Sequence, residues 1–129
     1  SQTPTSTAVP AIDNRNNLQK IVFNYLKSQK TGANRTLSIN KIVFHLNEKG
    51  YTYTYNYIKN KVLLPLKRAG LIGVTSSGYF IISNENDLIR TYKYHKEKLY
   101  GIQKTINIYE AKAQQMGFDL DNVEQGLLF

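Results

Sequence analysis

The chain has 129 residues, of which 41% are hydrophobic, and it contains no cysteine and only two histidines. This length suits one modest core with an additional element, and the missing cysteines exclude disulfides, thiolate metal sites and cysteine nucleophiles. The net charge is +8, and residues 14–84 carry eleven lysines and arginines against one acid, Glu48. Such a concentrated positive field favours phosphate backbones as partners, although a merely solubilising surface would give the same composition.

The first part of the chain predicts a leader followed by two helices. Residues 1–13 begin Ser/Thr/Pro-rich and have no period, which indicates a disordered leader or linker. Apolar residues at helical spacing predict a first helix over residues 14–30. After a break at "TGAN" and a possible short strand at Thr36 and Leu37, Ser38 is placed to cap a second helix, which Gly50 ends.

A third helix is predicted in "YTYTYNYIKNKVLLPLKRAG", with Thr52 or Thr54 as its cap. Its core face consists of Ile58, Val62 and Leu66. Pro65 removes a backbone donor, so we expect a bend or a restarted turn near Leu64.

A hairpin and a long helix complete the predicted elements. Residues 71–74 and 79–82 are apolar and flank "TSSG", which is typical of two strands joined by a tight turn. Ser83 or Asn84 then caps a helix reaching Met116, with Glu85 and Asp87 at its positive end.

Three helices followed by a two-stranded hairpin is the element order of a winged helix-turn-helix domain. The phrase "LKRAGLIG" resembles the end of the recognition helix and the first wing strand of that superfamily. The resemblance covers residues 14–83 and implies a mainly α (α+β) fold. It also implies that the third helix enters the DNA major groove while the hairpin, or wing, lies along the neighbouring backbone or minor groove.

The residues of the third helix agree with a DNA-reading face. At 100° per residue, the positions opposite Ile58 and Val62 are polar, and the helix contains no acid. Asparagine can bond adenine bidentately, whereas tyrosine, lysine and serine reach phosphates. An ordinary solvated face is the alternative for each position. The predicted DNA-binding residues are Tyr53, Asn56, Tyr57, Lys59, Asn60, Lys67, Arg68, Ser76 and Ser77, with Lys41 as a weaker candidate.

The final helix, residues 84–117, has a heptad seam with alternating spacings of four and three. We expect it to pair with the same helix of a second subunit, although part of it packing on its own domain is the alternative. The seam consists of Leu88, Tyr92, His95, Leu99, Ile102, Ile106 and Tyr109, continued by Ala113 and Met116. A wing followed by such a helix resembles PadR-type bacterial regulators in architecture only.

Residues 118–129 form a tail that turns acidic and then apolar. Its end, "QGLLF", resembles the pentapeptide by which bacterial proteins dock on the replication sliding clamp. The resemblance implies that Gln125 fills a polar pocket while Leu128 and Phe129 enter an apolar one. The alternative is that the tail folds back so that Leu127, Leu128 and Phe129 cap the dimer.

The sequence predicts no enzyme. It contains no phosphate-binding glycine loop and no evident grouping of nucleophile, base and orienting residue, so we expect neither cofactor nor metal. No apolar run reaches the roughly 18 residues of a membrane span, and we expect a protein of the bacterial cytoplasm.

These observations together predict a homodimeric, sequence-specific duplex DNA-binding protein. It would be a transcriptional regulator or a phage or plasmid replication or partition factor. The alternatives are a protein–protein adaptor built from a winged helix and a coiled-coil stem, or the DNA-reading domain of a larger nuclease.

Overall fold

The computed structural model describes residues 17–120, which are mainly helical with one two-stranded antiparallel sheet. The chain folds into two compact units, of which the first ends at Tyr94 and the second begins at His95. The elements in chain order are α1 (Asn17–Ser28), α2 (Ile39–Glu48), α3 (residues 55–68), β1 (Ile72–Thr75), β2 (Gly78–Ile81) and α4 (Glu85–Met116).

The core of the first unit is formed by three helices and one strand, whose apolar faces meet. Residues at helical spacing in α1, α2 and α3 supply it, as the sequence pattern predicts. The buried cluster consists of Leu18, Val22, Leu26, Ile39, Ile42, Leu46, Ile58, Val62, Leu63, Leu66 and Ile72. Phe80 of β2 is also fully buried.

Three polar side chains cap the helices where the sequence places them. The Ser38 hydroxyl accepts the Lys41 amide at 3.2 Å, and the Thr54 hydroxyl accepts the Tyr57 amide at 3.1 Å. Asn84 Oδ1 accepts the amide of Asp87 at 2.8 Å. Each cap satisfies an amide that has no partner within its helix, which fixes where the helix begins.

The helices also share one way of ending, in which a left-handed residue follows the last turn. Gly50, Gly70 and Gly117 have φ values of 90°, 75° and 86°, and Lys30 has φ 55°. The amide of Tyr51 then donates back to the Leu46 carbonyl at 2.9 Å, as in a Schellman motif. Glycine adopts this conformation without strain, whereas lysine does not.

Helix α3 is irregular in the middle. It begins as one α-helical turn (Tyr55–Tyr57), continues as a π-helix (Ile58–Leu63) and returns to α-helix (Leu64–Arg68). The sequence prediction of a disturbance near Leu64 is therefore confirmed, and Thr54 is the one of the two predicted caps that the helix uses. The placing of Tyr53 on the outer face of the helix is wrong, because the helix begins after Thr54.

Pro65 accounts for this irregularity. Its nitrogen carries no hydrogen and cannot donate to the carbonyl of Lys61, as an α-helix would require. The preceding Leu64 amide donates five residues back, to the Lys59 carbonyl. The Lys61 carbonyl receives a hydrogen bond from the side chain of Gln19 on α1, at 3.3 Å.

The first strand of the hairpin begins and ends one residue later than predicted, and the second strand begins and ends one residue earlier. Ile72 pairs with Ile81 and Thr75 with Gly78, so that Ser76 and Ser77 alone form the loop. Leu37 adds a single bridge to Tyr79, with amide–carbonyl distances of 2.9 and 2.8 Å. The sequence suggested a short strand at Thr36 and Leu37, and the structure has a single bridge at Leu37 in its place.

The bridge needs a glycine at position 78. Gly78 has φ 143°, and a Cβ placed there would lie 2.6 Å from the carbonyl oxygen of Leu37. The backbone segment before α2 therefore packs directly against the hairpin turn.

The first turns of α4 pack on the sheet through small and polar side chains. The Thr91 hydroxyl accepts the Val74 amide at 3.0 Å and donates to the Val74 carbonyl at 3.1 Å. This contact requires a bare backbone at Gly73, where an added Cβ would lie 2.8 Å from both the Phe80 ring and the Thr91 Cβ. Thr91 and Asp87, rather than the predicted seam, form the buried face here.

The second unit contains the rest of α4 and the turn that follows it. Ala113 is buried, and its carbonyl accepts the amide of Phe118 at 3.0 Å. The predicted seam residue Ala113 thus lies against its own chain. No helix within residues 17–120 is long and apolar enough to cross a membrane.

Candidate nucleic-acid interface

Helix α3 has an apolar inner face and a polar outer face. Ile58 and Val62 are completely buried, whereas Asn56, Lys59 and Asn60 are exposed. The π-helical turn also buries Leu63, which the uniform 100° step did not predict. Both asparagine side chains are therefore accessible for base-edge hydrogen bonds.

Two tyrosines are stacked at the start of this helix. The rings of Tyr53 and Tyr57 lie 4.7 Å apart between centroids with an angle of 18° between their planes. Tyr53 lies before the helix, so its place beside Tyr57 follows from the Thr54 cap and not from helical periodicity. The stack brings two of the predicted site residues together.

Basic and hydroxyl residues continue the surface toward the hairpin. Arg68 ends α3 and is exposed, whereas Lys67 is partly buried. Ser76 and Ser77 are exposed at the hairpin tip, where Thr75 Oγ1 lies 3.0 Å from Ser77 Oγ. These are the positions at which the sequence predicts phosphate contacts.

The charge of this surface has one sign. The segment between Glu48 and Glu85 contains five lysines and arginines and no acid. Lys41, at the start of α2, is exposed as well. No group of three His, Cys, Asp or Glu residues within residues 17–120 is placed to hold a metal ion.

The predicted site omitted residues that the structure exposes beside it. Lys61 is exposed on α3, and Tyr51 and Tyr55 are 39% and 45% exposed. The alternation in "YTYTYNY" was the available signal, since it sets four tyrosines at every second position. Tyr55 lies near Tyr79 of the hairpin. The pKa of Tyr79 is raised above its ordinary value, mainly by burial and to a smaller extent by the phenols of Tyr55 and Tyr94.

An apolar stripe lies on the part of α4 in the second unit. Leu99, Ile102, Ile106 and Tyr109 are 57%, 58%, 42% and 63% exposed. They share one helix face at spacings of three and four residues, and His95 extends that face. In the first unit Leu88 and Tyr92, the seam residues of the initial turns, are likewise exposed.

The predicted clamp-docking residues Gln125, Leu128 and Phe129 lie outside the described residues. Comparison of the chain with protein-family models, curated proteins and solved structures gives no match.

Proposed function

We propose that the chain is a sequence-specific duplex DNA-binding protein with a winged-helix head. The observation that carries this proposal is the outer face of α3, which exposes Asn56, Asn60 and Lys59 over a fully buried apolar face. The helix also carries no acid, which favours groove entry because a carboxylate would be repelled by the phosphates. In this proposal the two asparagines contact base edges, and the hairpin tip contacts the adjacent backbone.

The exposed stripe of the second unit supports a homodimer. Four large apolar side chains on one helix face would lose water contact if two such helices paired. A two-fold dimer would then read two half-sites about one helical turn, roughly 34 Å, apart or a multiple of that distance.

Selection of bound duplexes from a random pool, followed by measurement of the mass of the complex, tests both parts of this proposal. We expect an enriched site with two related halves and a complex containing two chains. Affinity for that site should fall with salt at a logarithmic slope of about 0.9 per phosphate neutralised. A pool that stays random after selection would contradict sequence-specific recognition.

Single substitutions separate base reading from backbone contact. Asn56→Ala and Asn60→Ala should each weaken binding to the selected site by about 1–3 kcal/mol and change binding to unrelated duplexes little. Lys67→Ala, in contrast, should weaken binding to all duplexes alike. Equal losses from asparagine variants on every duplex would indicate that neither asparagine reads a base.

A protein–protein adaptor is the second candidate, because Phe44 on α2 is 63% exposed in addition to the apolar stripe. Exposed aromatic residues are typical of protein interfaces. An adaptor would bind duplexes weakly and without sequence preference, so the same selection distinguishes the two functions.

A further inference from the structure

We propose that the tyrosines preceding and opening α3 form a platform on which unpaired nucleobases stack, so that the protein binds single-stranded nucleic acid as well as duplex. The platform consists of the stacked pair Tyr53 and Tyr57, which are 40% and 42% exposed. This activity goes beyond the proposed duplex recognition and does not require a duplex site.

The geometry of the Tyr53–Tyr57 pair suits the stacking of a nucleobase. Tyr53 and Tyr57 already lie nearly parallel, with centroids 4.7 Å apart, so their rings are ordered before any ligand arrives. The amide of Tyr57 is held by the Thr54 hydroxyl at 3.1 Å, which fixes the backbone between the two rings. Preorganised aromatic rings bind with a smaller loss of side-chain entropy than mobile ones.

The chemistry of the platform favours unpaired bases over paired ones. In a duplex the faces of each base are covered by the neighbouring base pairs, and only the base edges are presented in the grooves. In a single strand the faces are free and can extend an aromatic stack without regard to sequence. The two stacked and partly exposed rings therefore match a strand whose bases are unstacked.

The charge around the platform favours nucleic acid over protein as the partner. Lys59 and Lys61 are exposed on the helix that Tyr55 begins, and the chain has no acid between Glu48 and Glu85. Stacked bases bring a phosphate backbone with them, and lysines beside the rings neutralise it. An apolar protein partner would gain nothing from these charges.

The test measures binding of a fluorescein-labelled oligothymidylate by fluorescence anisotropy, beside a blunt duplex of mixed sequence. The double variant Tyr53→Leu with Tyr57→Leu should bind the single strand about 10- to 100-fold more weakly. Tyr53→Phe with Tyr57→Phe should bind it as the unmodified chain does, because the rings remain. Tyr100→Leu is the matched control, since this tyrosine is 67% exposed but lies in the second unit.

Three results would overturn the inference: no binding of the oligothymidylate by the unmodified chain, unchanged binding by the double leucine variant, or an equal loss in the double phenylalanine variant. The last result would show that the hydroxyl groups act and not the rings. Circular dichroism verifies that the variants remain folded.

The two proposals fail separately. A selected duplex site without oligothymidylate binding would leave duplex recognition standing and remove the platform. Oligothymidylate binding with no selected duplex site would do the reverse.

Discussion

Asp87 has a larger structural role than its position in the first turn of a helix predicts. Its carboxylate accepts the amide of Ala33 at 2.8 Å and both the amide and hydroxyl of Ser83 at 3.1 Å. Burial alone would raise the pKa of Asp87, but these hydrogen bonds and the charge of Arg90 lower it below its ordinary value. The carboxylate thereby ties the loop after α1 to the start of α4.

Asp87→Asn should lower the free energy of unfolding at neutral pH by about 1–3 kcal/mol, because an amide nitrogen would face hydrogen-bond donors. Because the pKa of Asp87 is lower in the folded than in the unfolded protein, its carboxylate stabilises the fold above the unfolded-state pKa of about 3.9. This stability is lost as the pH falls through the folded-state pKa. The stability difference between the two proteins should therefore shrink below about pH 4. Urea unfolding of both across this range measures it, and a pH-independent difference would contradict the assignment.

Lys30 is the one non-glycine residue with positive φ in the described part of the chain. Lys30→Gly should raise the free energy of unfolding by about 0.5–1 kcal/mol, since the left-handed conformation costs an L residue about 1–2 kcal/mol and glycine loses part of that gain in entropy. Lys27→Gly, inside the last turn of α1, is the control and should lower stability by about 1 kcal/mol. Thermal unfolding of both variants distinguishes the two signs.

The residues that the sequence predicted correctly act locally. Ser38, Thr54 and Asn84 cap helices through amides three residues away, so the pattern alone identifies them. The partner of Asp87 at Ala33 lies 54 residues away along the chain, and no local pattern indicates it.

Among the elements, the hairpin and α4 hold each other through one hydroxyl group. Thr91 satisfies both the amide and the carbonyl of Val74, which would otherwise be left without partners at the sheet edge. The heptad pattern includes Leu88 and Tyr92, which are exposed. The buried contact is made by Thr91, which does not belong to the hydrophobic pattern. The order of the elements was thus predictable, but not the face of α4 that packs on the sheet.

Thr91→Val keeps the side-chain shape and removes both hydrogen bonds. We expect a loss of about 1–3 kcal/mol in the free energy of unfolding, because a buried amide and a buried carbonyl lose their partner. Thr91→Ser retains the hydroxyl and should cost less. Denaturant titrations compare the two, and a larger loss in Thr91→Ser than in Thr91→Val would show that the methyl group and not the hydroxyl matters.

The π-helical segment of α3 shows the same limit of local reasoning. Pro65 predicts a disturbance, but the hydrogen bond that the Lys61 carbonyl accepts comes from Gln19, which lies 42 residues away in the chain. The segment is the reason that Val62 and Leu63 are both buried, in place of a strict helical spacing.

At the scale of the whole molecule, charge and exposure followed the sequence closely. The accessible outer face of α3 was predicted, because charged and polar side chains stay in water wherever the backbone allows. The stacking of Tyr53 on Tyr57 was not predicted, since Tyr53 lies outside the helix whose geometry predicted the positions of the other outer-face residues.

Association through the second unit is tested by placing a charge on the stripe. Leu99→Glu with Ile106→Glu should convert a dimer into a monomer, since paired helices would bury both carboxylates without partners. Ala111→Glu is the control, because it adds the same group on the opposite, exposed side of α4 and should leave the dimer intact. Sedimentation equilibrium reports the mass directly, and a monomeric unmodified chain would refute the pairing.

The bridge between Leu37 and Tyr79 has a mechanical consequence. Leu37 precedes the residue that caps α2, and its carbonyl leaves no room for a side chain at position 78. A force applied to the tip of the hairpin is therefore transmitted through two hydrogen bonds to the beginning of α2. Because both bonds join backbone atoms, we expect the hairpin and the beginning of α2 to move together as one rigid piece.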